Sequence, residues 1–133
     1  MNRILLAYDG GEPARHALDK TIELARLSGA EVGVISVVPV HPGRAPVDPW
    51  DDRTVHAEEL LEARKLLREA GIEATLIEPG GDPARTIERI ADERGYDTIV
   101  IGSRGLGTVA RALQGSVSEH VAAHAHATVV VAR

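Results

Sequence analysis

The chain predicts an α/β fold, an open parallel five-stranded sheet with helices on both faces. Two observations carry this. Short apolar runs alternate regularly with segments of helical periodicity. Several of those runs are apolar at nearly every position, as strands covered on both faces are. The 133 residues fit one domain, 1–133.

Ile4–Tyr8 reads as a buried strand ending in the turn Asp9-Gly10-Gly11. Pro13 stands at a first helical position, and Ala14, Ala17, Leu18, Thr21, Ile22 and Ala25 follow at helical spacing up to Gly29. Val32–Val38 is a second strand. Pro39–Asp52, with Pro39, Pro42, Pro46, Pro49 and Trp50, is a loop, and Trp50 reads as its packing anchor. Thr54–Ala70 is a helix with Leu60, Ala63, Leu67 and Ala70 inward, and its charges from Glu58 to Glu69 read as a solvated face. Ile72–Ile77 alternates in part, as a strand near a sheet edge does. Asp82-Pro83 opens a third helix with Ala84, Ile87, Ile90 and Ala91 inward. Thr98–Ile101 is a fourth strand opening onto Gly102-Ser103-Arg104-Gly105-Leu106-Gly107. A fourth helix runs along Val109, Leu113, Val117, Val121 and Ala125, and Thr128–Ala132 is the fifth strand.

Composition excludes several functions. The net charge of −5 disfavours attraction to nucleic acid or an anionic membrane, and with no Phe and 2% aromatics there is no platform for stacking bases. Without Cys there are no disulfides or thiolate metal sites. No apolar run approaches the roughly 20 residues of a membrane helix, and the N-terminus does not read as a signal peptide. The expected location is the cytoplasm.

Parallel sheets bind ligands beyond the carboxyl ends of their strands, where the winding reverses. Two such ends here are glycine-rich, after the first and fourth strands. Backbone N–H groups near Gly102, Gly105 and Gly107 can point at phosphate oxygens, with Arg104 as a charged donor and Ser103, Ser116 and Ser118 as hydroxyls. Gly105–Ala110 also matches the dinucleotide fingerprint, but the acidic residue expected at the end of the next strand is missing. No Walker A sequence occurs. Ser116 and His120 are spaced for a nucleophile pair, without an orienting third group. His120 and His124 share a helix face. Without an H-E-x-x-H they read, together with His126, as partly buried or interface histidines rather than metal ligands.

Gly102-x2-Gly105-x9-Gly115-Ser116 resembles the ATP-binding motif G-x2-G-x9-G-[ST] of universal stress proteins. The opening I-L-L-A-Y-D-G also resembles that family's first strand and Asp turn. The resemblance covers essentially the whole chain. It implies a Rossmann-like sheet of order 3-2-1-4-5. It further implies that Asp9 lies near the ribose and Val37 at the adenine, with Ala7 and Tyr8 close by. Gly102, Ser103, Arg104 and Gly105 would line ribose and phosphates, and Gly115, Ser116, Val117 and Ser118 would complete the phosphate site. Family members of this type bind ATP with Mg2+ or Mn2+, and many are homodimers pairing through the last strand. Two positions depart from the common pattern: Gly11 replaces a frequent Ser, and Thr128 a frequent Pro. The expected function is a nucleotide-dependent regulatory module of the stress response with an unknown protein partner. A slow ATPase or phosphotransferase at the same site and a nucleotide-independent scaffold dimer are the alternatives. Lys20 and Lys65 are the only lysines, so the glycine loop offers none for phosphoryl transfer.

Overall fold

A computed structural model describes residues 1–39, 53–103 and 113–133, with the backbone alone at 113–116. The elements are β1 (Arg3–Ala7), α1 (Glu12–Ser28), β2 (Glu31–Ile35), α2 (Arg53–Glu69), β3 (Ala74–Ile77), α3 (Pro83–Arg94), β4 (Thr98–Gly102), α4 (Leu113–His124) and β5 (Thr128–Ala132). All strand pairs are parallel, and the sheet order is β3-β2-β1-β4-β5. The two glycine-rich strand ends therefore stand side by side, with Leu6 of β1 in register with Val100 of β4.

The central strand explains the layering. Ile4, Leu5 and Leu6 are completely buried. Successive side chains leave a strand on opposite faces. Ile4 and Leu6 join Ala17 and Leu18 of α1 and Leu60, Ala63 and Leu67 of α2 in one core. Leu5 joins Ile87, Ile90 and Ala91 of α3 and Val121 of α4 in the other. Each fully buried Leu or Ile contributes roughly 1.5–3 kcal/mol. A strand buried on both sides has no polar position to alternate, which is why its sequence is a continuous apolar run.

Helix ends follow the local chemistry. Gly29 and Gly95 close α1 and α3 in the left-handed conformation, at φ 72° each, where a Cβ would be strained. The carboxylate of Asp82 accepts the Arg85 N–H at 3.1 Å and caps α3. Two strand boundaries differ from the sequence reading by more than one residue. β2 stops at Ile35, yet its chain stays beside the next segment through a bridge between Val38 and Gly80. β3 starts at Ala74 rather than Ile72. α4 is described from Leu113, and Val109 lies outside the described residues, as does the loop 40–52 with Trp50.

The solvated face expected on α2 is only partly solvated. His56 is completely buried and Glu59 nearly so. His56 Nδ1 pairs with the buried Ser36 hydroxyl, 20 residues away in sequence. Glu62 reaches across to accept the Tyr8 hydroxyl at 2.9 Å and to pair with Arg15 at 3.3 Å. Helical periodicity locates an inner face but cannot say that a polar side chain on its border will find a polar partner on the sheet.

At the opposite end of the sheet, Asp97 ties three strands together. Its carboxylate accepts the Asn2 N–H at 2.8 Å, the Arg3 N–H at 3.2 Å and the Thr98 hydroxyl at 2.8 Å. Its carbonyl takes the Thr128 N–H at 3.0 Å.

Candidate nucleotide crevice

The carboxyl ends of β1 and β4 open into a crevice that, with its mouth, encloses about 510 Å³. Strand residues supply the floor: Ala7, Ile35 and Ile101, continued by Val37. Tyr8, Asp9, Gly102 and Ser103 form the turn side. Pro13 and Ala14 come from the first turn of α1, Pro83 and Ile87 from the start of α3, and Val117 from α4. The floor is apolar because the same strands that bury both faces end here. The rim is polarised because helices begin here, and the start of a helix carries partial positive charge that favours an anion.

Two sequence features shape this geometry. Asp9 Oδ1 accepts the Gly11 N–H at 2.9 Å, so the carboxylate folds the turn back on itself. Asp9 thus performs the turn-capping role common to Asp while lining the cavity. Gly102 lies directly under α1: a Cβ there would approach the Pro13 carbonyl carbon and oxygen to 2.5 Å. The absence of a side chain lets the helix start settle against the strand end. The Ser103 N–H is held by the Ala132 carbonyl at 2.7 Å and is therefore not free for a ligand. Burial pushes the Tyr8 phenol well above its ordinary range, and the hydrogen bond to Glu62 pushes it further, so Tyr8 acts as a neutral wall.

The expected site residues divide as follows. Ala7, Tyr8, Asp9, Val37, Gly102, Ser103 and Val117 line one crevice. Ser118 is buried on α4 and is not among the lining residues. Arg104 and Gly105 lie outside the described residues. Gly115 and Ser116 fall in the first turn of α4, where only the backbone is described. Ser116 of the considered Ser116–His120 pair falls there too, and His120 Nδ1 is engaged by Glu88 at 2.9 Å. Sequence reasoning missed Pro13, Ala14, Ile35, Pro83, Ile87 and Ile101. Their signal was positional, at a strand end or the start of the following helix, but apolar residues there look like ordinary core.

An adenine nucleotide fits this chemistry. The apolar floor suits a planar base, and the helix starts suit phosphate. For a divalent ion, Asp9 is the one carboxylate among the described lining residues. That fits an ion such as Mg2+, which keeps several waters and binds through one or two carboxylates plus phosphate oxygens.

These features define an open doubly wound α/β protein with its ligand crevice at the switch point of the sheet. The universal stress protein family model matches residues 1–133. The universal stress protein YxiE of Bacillus subtilis is 30% identical over 151 aligned positions, covering 99% of each chain. A crystal structure of a family member from Burkholderia pseudomallei is 30% identical, with a TM-score of 0.76 over 98% of this chain and 94% of that one. The universal stress protein of Archaeoglobus fulgidus, solved in complex with dAMP, is 29% identical, with a TM-score of 0.72 over 100% and 98%. The chain belongs to the universal stress protein family.

Proposed function

We propose that this protein binds ATP in the crevice between β1 and β4 and works as a nucleotide-dependent regulatory module of the cytoplasmic stress response. The observation that carries the reading is the convergence of Asp9, Gly102 and the starts of α1 and α3 on one apolar floor. The dAMP held by the Archaeoglobus relative supports an adenine nucleotide as the occupant. In this reading Val37 and Ile35 pack the base, Asp9 hydrogen-bonds the ribose, and the segment from Gly102 through Ser118 receives the phosphates. A Mg2+ or Mn2+ ion bound with the phosphates would neutralise their charge. Arg104 and Gly105 belong to the same proposed phosphate segment. The half-exposed edge strand β5, with Val131 outward, supports pairing of two copies through the last strand.

Calorimetric titration of the purified protein with ATP and with AMP, each with and without Mg2+, tests the reading. We expect one nucleotide per chain, binding at least tenfold weaker in Asp9→Ala, and no binding in a folded Gly115→Val variant. Absence of binding by the wild-type protein, verified free of co-purified nucleotide by mass spectrometry, overturns it.

A further inference from the structure

Away from the crevice, α3 and α4 place Glu88, His120 and His124 together. One ligand atom from each lies within 4.8 Å of the other two. The two histidines are four residues apart on α4, and their rings stack with centroids 4.2 Å apart. Glu88 comes from the neighbouring helix and is mostly buried, with a side-chain exposure of 17%.

Hydrogen bonds hold both rings. His124 Nδ1 lies 2.9 Å from the His120 carbonyl, which can only accept, so Nδ1 carries the proton and Nε2 the lone pair. His120 Nδ1 lies 2.9 Å from Glu88 Oε1, a carboxylate oxygen that likewise accepts. A cation set between these two atoms would take the proton's place and accept a lone pair from each.

We propose that Glu88, His120 and His124 form a site for a borderline divalent transition ion, with zinc as the reference ion. Two imidazole nitrogens select zinc, nickel or copper over magnesium and calcium, which prefer oxygen. His120 Nδ1 and Glu88 Oε1 supply two donors, a ring nitrogen of His124 the third, and water completes the shell at this partly open surface. A tetrahedral ion needs donors about 3.4 Å apart and lying in each ring plane, so the exposed His124 ring would swing out of the stack to bind it. The ion would tie α3 to α4. Ile87 and Val117 of the crevice stand one and three residues from its ligands, so the clamp would brace one wall of that cavity. The neighbouring His126–Asp92 pair, at 3.0 Å, lies outside the cluster.

The test is calorimetric titration of the full chain, free of any polyhistidine tag and stripped with EDTA, with zinc chloride. One equivalent of zinc per chain is expected, with affinity falling at least tenfold in His124→Ala and in Glu88→Gln and unchanged in His16→Ala on the opposite face of the sheet. Because His124 is exposed, its variant keeps the fold, which circular dichroism verifies. Zinc should raise the melting temperature of the wild type but not of His124→Ala. No uptake by the wild type, or equal affinity in His124→Ala, overturns the site.

Discussion

Gly102 shows how much one missing side chain decides. A Cβ at this position would meet Pro13 backbone atoms at 2.5 Å and the Pro13 Cβ at 2.8 Å, and backbone cannot swing aside as a side chain can. Gly102→Ala should therefore cost roughly 1–3 kcal/mol through overpacking. It should also displace Pro13 from the crevice wall and weaken adenine nucleotide binding. Urea denaturation and calorimetric titration of the variant check both, and wild-type values in both would mean that α1 adjusts freely. The sequence marks Gly102 through its motif. It does not mark Pro13, 89 positions earlier, as the reason a side chain is excluded.

Among elements, the strand ends behave differently at the two ends of the sheet. Backbone hydrogen bonds, led by that from Asn2, hold the Asp97 carboxyl below its usual range. A carboxyl lowered in the folded state stabilises the protein above its unfolded value of about 3.9, and this contribution is lost as pH falls through the lowered value. Asp97→Asn should thus unfold at a lower denaturant midpoint near pH 7, with the difference from wild type shrinking as pH falls below about 4. A pH series of denaturant melts measures this, and a pH-independent difference would contradict it. Nucleotide binding should be unaffected, since Asp97 sits at the end of the sheet opposite the crevice. Element order was legible throughout, from the apolar runs and from breakers such as Gly29, Asp82-Pro83 and Gly95. The polar partnerships of α2 were not, because His56 and Glu62 find Ser36 and Tyr8 through packing of α2 on the sheet.

For the molecule as a unit, the winding of the sheet sets the position of the crevice. With β1 between β2 and β4, the chain winds outward on opposite faces to either side, and the gap at that reversal is where a ligand can enter. Among the described residues no helix is long and apolar enough to cross a membrane. A ligand that binds only the folded chain stabilises it by about 2.7 kcal/mol at a hundredfold excess over its Kd. For a domain of this size the expected rise in melting temperature is about 10 °C. Differential scanning with ATP measures it, and Asp9→Ala should lose most of the shift at the same ATP concentration.

Strand and helix order, the two buried faces and the residues of the glycine motif were readable from the chain, because each depends on neighbours within a few positions. Burial of β1 on both sides leaves a local signature in Ile4, Leu5 and Leu6, and so does the cap at Asp82. Other features needed the fold. Pro13, Pro83 and Ile87 become crevice walls, and Glu88 becomes the companion of His120 and His124, through parallel pairing and helix packing. Those contacts join residues some 30 to 90 positions apart, and no local period encodes which helix will lie beside which.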